Sequence, residues 1–206
     1  DTLQPYLDKI VSWGVMRGDI NGNLNADRTI TRAEFVTLIN RAFGYSKTGT
    51  TPFRDVPSTA WYAEDVGIAY TEGYIMGTTA TTFSPNGTMT RAMLVTALWR
   101  LEGEPEASGA SGFPDVKPDA WYAEAVDWAS QTGLVSGTGA GFDPEGSVTR
   151  EQIASILYRY AKLKGWDVSK TANLQDFADG TDTSAWATRA MEWAYAEKLI
   201  TGKDGN

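Results

Sequence analysis

Ile30-Thr31-Arg32-Ala33-Glu34 returns as Met89-Thr90-Arg91-Ala92-Met93 and again as Val148-Thr149-Arg150-Glu151-Gln152. The three arginines are spaced by 59 residues at both steps. Apolar residues follow each pair at helical spacing: Phe35, Leu38, Ile39, Ala42 and Phe43, then Leu94, Ala97, Leu98 and Leu101, then Ile153, Ile156, Leu157, Tyr160 and Ala161. Each arginine is therefore expected in the first turn of a helix. The helix N-terminus carries partial positive charge, so a cation there costs about 0.3–1 kcal/mol. Three repetitions of that choice point to a use beyond helix stability, and anion binding is the natural one.

Working outward, residues 53–102 read Phe53-x-Asp55-Val56, Ala60-Trp61-Tyr62, Gly73-x-x-x-Gly77, Phe83-x-Pro85 and Thr90-Arg91. Residues 113–164 repeat this as Phe113-x-Asp115-Val116, Ala120-Trp121-Tyr122, Gly133-x-x-x-Gly137, Phe142-x-Pro144 and Thr149-Arg150. Residues 1–44 lack the Phe-x-Asp opening but hold Gly14-x-x-x-Gly18, Leu24 and Thr31-Arg32. Residues 177–206 hold the opening half alone: Phe177-x-Asp179, Trp186 and Leu199-x-x-Gly202. Linkers rich in Gly, Pro, Ser, Thr or Lys fall at 44–52, 103–112 and 165–176. Such self-similarity means stacked units that bury their apolar faces on neighbours. Each unit reads as two helices. The first follows Ser58, Asp119 or Thr183 as N-cap and ends at a glycine in the first three units. A Gly/Asn/Pro loop, with a short extended piece at Thr82-Phe83 or Gly141-Phe142, leads to the second. The fold class is mostly α. The first and last halves are expected to complete one another, with residues 177–202 near residues 3–18, as a ring that needs no partner subunit and is a monomer.

A net charge of −8 argues against general nucleic-acid binding and against anionic lipid. No apolar run has the length to span a bilayer. The absence of cysteine excludes disulfides and thiolate metal sites, and the absence of histidine excludes Ser-His-Asp chemistry. Carboxylate chemistry is what remains for an enzyme, and among Glu34, Glu64, Asp65, Glu124 and Asp127 no pair stands apart from its neighbours. No metal or cofactor is expected. Asp19-Ile-Asn21-Gly22-Asn23 resembles a calcium loop superficially, but Ile30 occupies position 12 where a bidentate Glu belongs, so an Asn/Gly-rich turn is the better reading.

Thr31 with Glu34, and Thr149 with Gln152, form capping boxes, which Thr90 with Met93 cannot complete. That accounts for the threonines, not for Arg32, Arg91 and Arg150. These are either solvated or internally paired, or they join free helix amides in clamping a carboxylate or phosphate; the triple recurrence favours the clamp. Trp61, Tyr62, Trp121, Tyr122 and Trp186 are read first as aromatic anchors in a small core, with a sugar-stacking platform as the second reading. Asp55, Asp115 and Asp179 are expected to fix the turn before the first helix, with sugar hydroxyls as alternative partners.

Taken together, Phe-x-Asp-Val, Trp-Tyr, Gly-x-x-x-Gly, Phe-x-Pro and Thr-Arg-Ala-Glu resemble the pattern of S-layer homology domains over nearly the whole chain. The resemblance implies a pseudo-threefold spindle with one helix per unit in a central bundle and binding grooves between units. It implies a non-catalytic, extracellular anchor to anionic secondary cell-wall polysaccharide, often pyruvylated, at the bacterial surface. It makes Arg32, Arg91 and Arg150 the main anion contacts, beside Thr31, Thr90 and Thr149, the Trp and Tyr residues and the three aspartates. A protein–protein module of a surface layer is the alternative. Met93, Glu151 and Gln152 depart from the pattern, so the grooves are not expected to be equivalent.

Overall fold

The computed structural model describes residues 16–17, 19 and 21–201. Among them lie six α-helices: α1 (Arg32–Phe43), α2 (Ala63–Glu72), α3 (Arg91–Leu101), α4 (Ala123–Gln131), α5 (Arg150–Leu163) and α6 (Thr188–Ala196). Two single-turn 3-10 segments, Leu174–Asp176 and Gly180–Asp182, precede α6. The mostly α tandem-repeat architecture is as expected. The Thr-Arg helices α1, α3 and α5 are buried on almost every face, as central elements must be. Phe35 and Leu38, Leu94 and Leu98, and Ile153 and Leu157 meet in one core cluster. The outer helices α2, α4 and α6 each pack on the central helix that precedes them in the chain.

A closed triangle of backbone hydrogen bonds joins the units at the helix starts. Met89 N–H donates to Ile30 O at 3.0 Å, Val148 N–H to Met89 O at 2.8 Å, and Ile30 N–H to Val148 O at 3.1 Å. Each unit thus donates to one neighbour and accepts from the other. The first two amides of each helix run round the ring in the opposite sense. Arg32 and Ala33 donate to Gly87 O and Pro85 O, Arg91 and Ala92 to Gly146 O and Pro144 O, and Arg150 and Glu151 to Arg28 O and Ala26 O.

The terminal halves meet as expected. Strands β1 (Met16–Arg17) and β2 (Ile200–Thr201) pair in parallel, and Ala178 N–H donates to Gly22 O. Residues 3–15, Gly14 and Gly18, and residues 202–206 lie outside the described residues. The strand pair itself was not foreseen, because two-residue strands leave no periodicity to read.

The outer helices start later than expected. Their N-caps are Tyr62, Tyr122 and Ala187, none with a side-chain cap, rather than Ser58, Asp119 or Thr183. Turns come first: Ala60 N–H donates to Pro57 O, and Ala63 N–H to Ala60 O. This turn chain satisfies backbone donors that a Ser or Asp cap would otherwise take. At the other end Gly73 (φ 78°) and Gly133 (φ 74°) occupy the left-handed region as expected, while the fourth unit uses Lys198 (φ 57°). Between the helices only an isolated bridge, Thr79 with Thr82, stands where an extended piece was expected.

Candidate functional site

The threonines act as caps. Glu34 and Gln152 amides donate to Thr31 and Thr149 hydroxyls at 3.1 and 3.3 Å, and both side chains reach back to the Thr amides, closing the boxes. Thr90 receives Met93 N–H alone, at 3.2 Å. With these bonds and the inter-unit ones, the first three amides of every central helix are occupied. The expectation of free helix amides for an anion is therefore corrected: the neighbouring unit's loop carbonyls already fill that place.

The arginines span the same joints. Arg32 Nε donates to Phe83 O at 2.8 Å, Nη2 to Met76 O at 2.6 Å, and Nη1 points at Met93 Sδ at 3.3 Å. Arg91 Nε donates to Phe142 O at 2.7 Å and Nη2 to Ser136 O at 3.1 Å. Both guanidiniums lie over the ring of the residue whose carbonyl they bind, 4.6 and 4.8 Å from its centroid. Burial lowers the pKa of Arg32 and Arg150 to about 10, against the pull of nearby carboxylates, and lowers that of Arg91 as well. All three remain cationic at neutral pH. Arg32 and Arg150 are only 3% and 1% exposed, whereas Arg91 is half-buried. Arg150 Nε and Nη2 meet no partner among the described residues.

The aspartates do something different from the expected turn-fixing. Asp55 accepts Phe83 and Ser84 amides at 2.8 and 2.7 Å; Asp115 accepts Phe142 and Asp143 at the same distances. Asp179 accepts Leu24 and Asn25 amides at 2.5 and 2.8 Å, across the ring closure. Ser84, Asp143 and Asn25 all have positive φ near 50–60°, which turns successive N–H groups into a small concave anion site. Each aspartate fills such a site and bolts the opening segment to the loop before the central helix. The calcium-like loop is an Asx turn: Asp19 accepts from the amides of Asn21 and Asn23 and the side chains of Asn23 and Asn25, which hold its pKa at about 2.

The tryptophans overturn the core reading. Trp61, Trp121 and Trp186 are 66%, 59% and 58% exposed, each set out by the turn before its helix. Tyr62 and Tyr122 are partly buried and meet their tryptophans edge-on at 5.3 and 5.2 Å. Two of these tryptophans rim open grooves of about 400 Å³ each. One runs from Arg91 past Val135–Thr138 to Gln152, Ser155 and Arg159 on α5, under Trp186. The other runs from Arg32 past Tyr74–Thr78 to Met93, Thr96 and Arg100 on α3, under Trp121, with Glu145 at its edge. Each joins three successive units. The close approach that forms their walls requires glycine: a Cβ at Gly137 would lie 2.7 Å from Gly141 O and 2.8 Å from the Phe113 ring. Asp55, Asp115, Tyr62 and Tyr122 are not among the residues lining either groove.

Arg100 and Arg159 were missed in the sequence, although the signal was present. Each stands nine residues after its Thr-Arg arginine, as does Arg41, so this second arginine also recurs every 59 residues. Glu151, a departure from the repeat, is buried and accepts from the Ser184 amide and hydroxyl at 3.0 and 2.9 Å, binding α5 to the last unit.

Three units locked head to tail, with concave surfaces between units rather than within one, define a closed repeat module. The chain belongs to the S-layer homology domain family, whose family model matches residues 3–36, 52–92, 112–154 and 176–206. It is 30% identical over 203 residues to the surface-layer 125 kDa protein of Lysinibacillus sphaericus, covering 90% of this chain and 17% of that protein. An endoglucanase of Bacillus sp. (strain KSM-635) is 31% identical over 84% of this chain and 18% of its own length. The S-layer protein sap of Bacillus anthracis is 27% identical over 66% and 16%. The chain thus spans under a fifth of the length of these relatives. Modules of this family, shared by surface-layer proteins and wall-associated enzymes, mediate anchoring to the cell wall. No helix among the described residues is long and apolar enough to cross a membrane.

Proposed function

We propose that this chain is a non-catalytic anchor that binds anionic, pyruvylated secondary cell-wall polysaccharide in its inter-unit grooves, holding its parent protein at the bacterial surface. The observation that carries this is the pairing, in both described grooves, of an exposed tryptophan rim with cationic guanidinium groups. A sugar ring stacks on the indole, and its carboxylate meets the arginines. The overall negative charge is no obstacle, since the local field at each groove opposes it. Arg32 and Arg91 act here as joint-holding groups that also bring positive charge to the two grooves, and Arg150, which lines neither described groove, brings its charge to the third joint. The aspartates and threonines contribute by shaping the loops.

Two of the candidate carboxylates serve the fold. Asp65 accepts from Thr37 and Asn40, and Glu34 pairs with Arg28 at 2.8 Å while closing its capping box. Several weak grooves along a repeating polymer multiply into firm attachment of a monomeric module. The test is calorimetric titration with purified polysaccharide before and after mild acid removal of pyruvate. Binding lost with the pyruvate, and weakened by Arg91→Ala, is expected. Equal binding of both preparations refutes the anionic part of the reading, and no binding of either refutes the whole.

A further inference from the structure

We infer that the two described grooves are not duplicates: the Arg91 groove is the charge-reading subsite, with Arg159 and Ser155 as its specificity residues, and the Arg32 groove reads uncharged sugar surface. The inference rests on the glycan-binding function proposed above and assigns its parts.

The first observation is charge. The lining of the Arg91 groove has two guanidiniums and no carboxylate, whereas that of the Arg32 groove includes Glu145 beside Arg32 and Arg100. Burial lowers the pKa of Arg91 against the pull of Asp143 and Asp115, and the field of Arg159 adds a smaller push in the same direction as burial, a repulsion between the two cations. An anion placed between them removes that repulsion and takes hydrogen bonds from both. Arg159 is exposed and donates Nη1 to Leu134 O at 3.2 Å, which orients its fork. In the other groove Arg32 is buried and Met93 Sδ covers its Nη1, while Arg100 leans towards Glu104 at 3.8 Å.

The second observation is a hydroxyl. Ser155 Oγ is buried at the Arg91 groove, in a residue only 5% exposed, and has no hydrogen-bond partner among the described residues. Thr96 Oγ1 stands likewise in the Arg32 groove. Their counterpart Thr37 donates to Asp65 at 2.7 Å. The positions matching Asp65 are Ala125 and Ala190, so the internal partner has been removed from both described grooves. A buried hydroxyl without a partner is costly unless a ligand or water supplies one. The third observation is texture: Met76 and Met93 face the Arg32 groove where Ser136 and Gln152 face the other, so soft apolar contact replaces hydrogen bonding.

The probes are a methyl hexoside bearing a 4,6-linked pyruvate ketal and the methyl ester of the same compound, which keeps the shape and removes the charge. Tryptophan indole N–H signals report the groove, assigned with Trp121→Phe and Trp186→Phe. The acid is expected to move the Trp186 signal and to bind at least fivefold more tightly than the ester. Arg159→Gln and Ser155→Ala are expected to weaken the acid fivefold or more, and Arg100→Gln less than twofold. Equal loss from Arg100→Gln and Arg159→Gln, or a charge-dependent shift at Trp121, overturns the division while leaving pyruvate-dependent polysaccharide binding intact. If the polysaccharide itself fails to bind the unaltered chain, the underlying function falls first.

Discussion

Replacing Asp179 by alanine tests the closure of the ring at one carboxylate. That side chain accepts the Leu24 amide at 2.5 Å and the Asn25 amide at 2.8 Å, from 155 and 154 residues away. Leu24 is fully buried, so its amide loses its partner without access to water, at about 1–3 kcal/mol. Asn25 is half-buried and is partly rescued by water, adding about 1 kcal/mol. The sum is about 3 kcal/mol, and about 2–4 °C of midpoint per kcal/mol for a chain of this size gives a drop of about 6–12 °C. Calorimetry reads the midpoint, and hydrogen exchange reads whether the Leu24 and Asn25 amides open first. Asp179→Asn, which keeps an acceptor, should lose about half as much. Asp182 is exposed with no side-chain hydrogen bond among the described residues, so Asp182→Ala should stay within about 0.5 kcal/mol. An Asp179→Ala midpoint no lower than that of Asp182→Ala would refute the carboxylate bolt.

Acid gives a second check. Burial raises the Asp55 carboxyl, but the Phe83 and Ser84 amides outweigh it; the Phe142 and Asp143 amides likewise lower Asp115, so both sit below the ordinary 3.8. A depressed folded pKa means their contribution is complete above the ordinary value and is lost as pH falls through the lower one. The thermal midpoint should be flat from about pH 7 to 5 and fall below about pH 4, with a shallower fall in Asp55→Asn/Asp115→Asn; an unchanged slope would count against it. Gly137→Ala should cost about 1–3 kcal/mol in urea unfolding because its Cβ meets the Gly141 carbonyl, while Gly109→Ala, with open space around it, should cost far less. Trp186→Ala should change stability by under about 1 kcal/mol, because the ring is mostly exposed, yet weaken polysaccharide binding about tenfold in the titration.

What was legible in the sequence was whatever repeats locally. The Thr-Arg pair with its following stripe located α1, α3 and α5, and the boxes at Thr31 and Thr149 formed as read. Contacts made across units were not legible. Asp55 looks like a turn residue because its partners, Phe83 and Ser84, lie 28 and 29 residues downstream and offer only backbone. Trp61 and Tyr62 are adjacent letters of the same chemistry, and only the turn before α2 decides that one faces water and the other the core. The occupied helix amides were hidden for a related reason, since carbonyls at Gly87, Gly146 and Arg28 carry no side-chain signature.

The triangle of bonds among Ile30, Met89 and Val148 also sets a count. Each link has a direction, and three such links return to their starting point with no donor or acceptor left over. A fourth full unit has no vacant place to enter, and two units leave the circuit open. The number of central helix starts is thus fixed at three by the direction of the backbone bonds, not by the length of the chain.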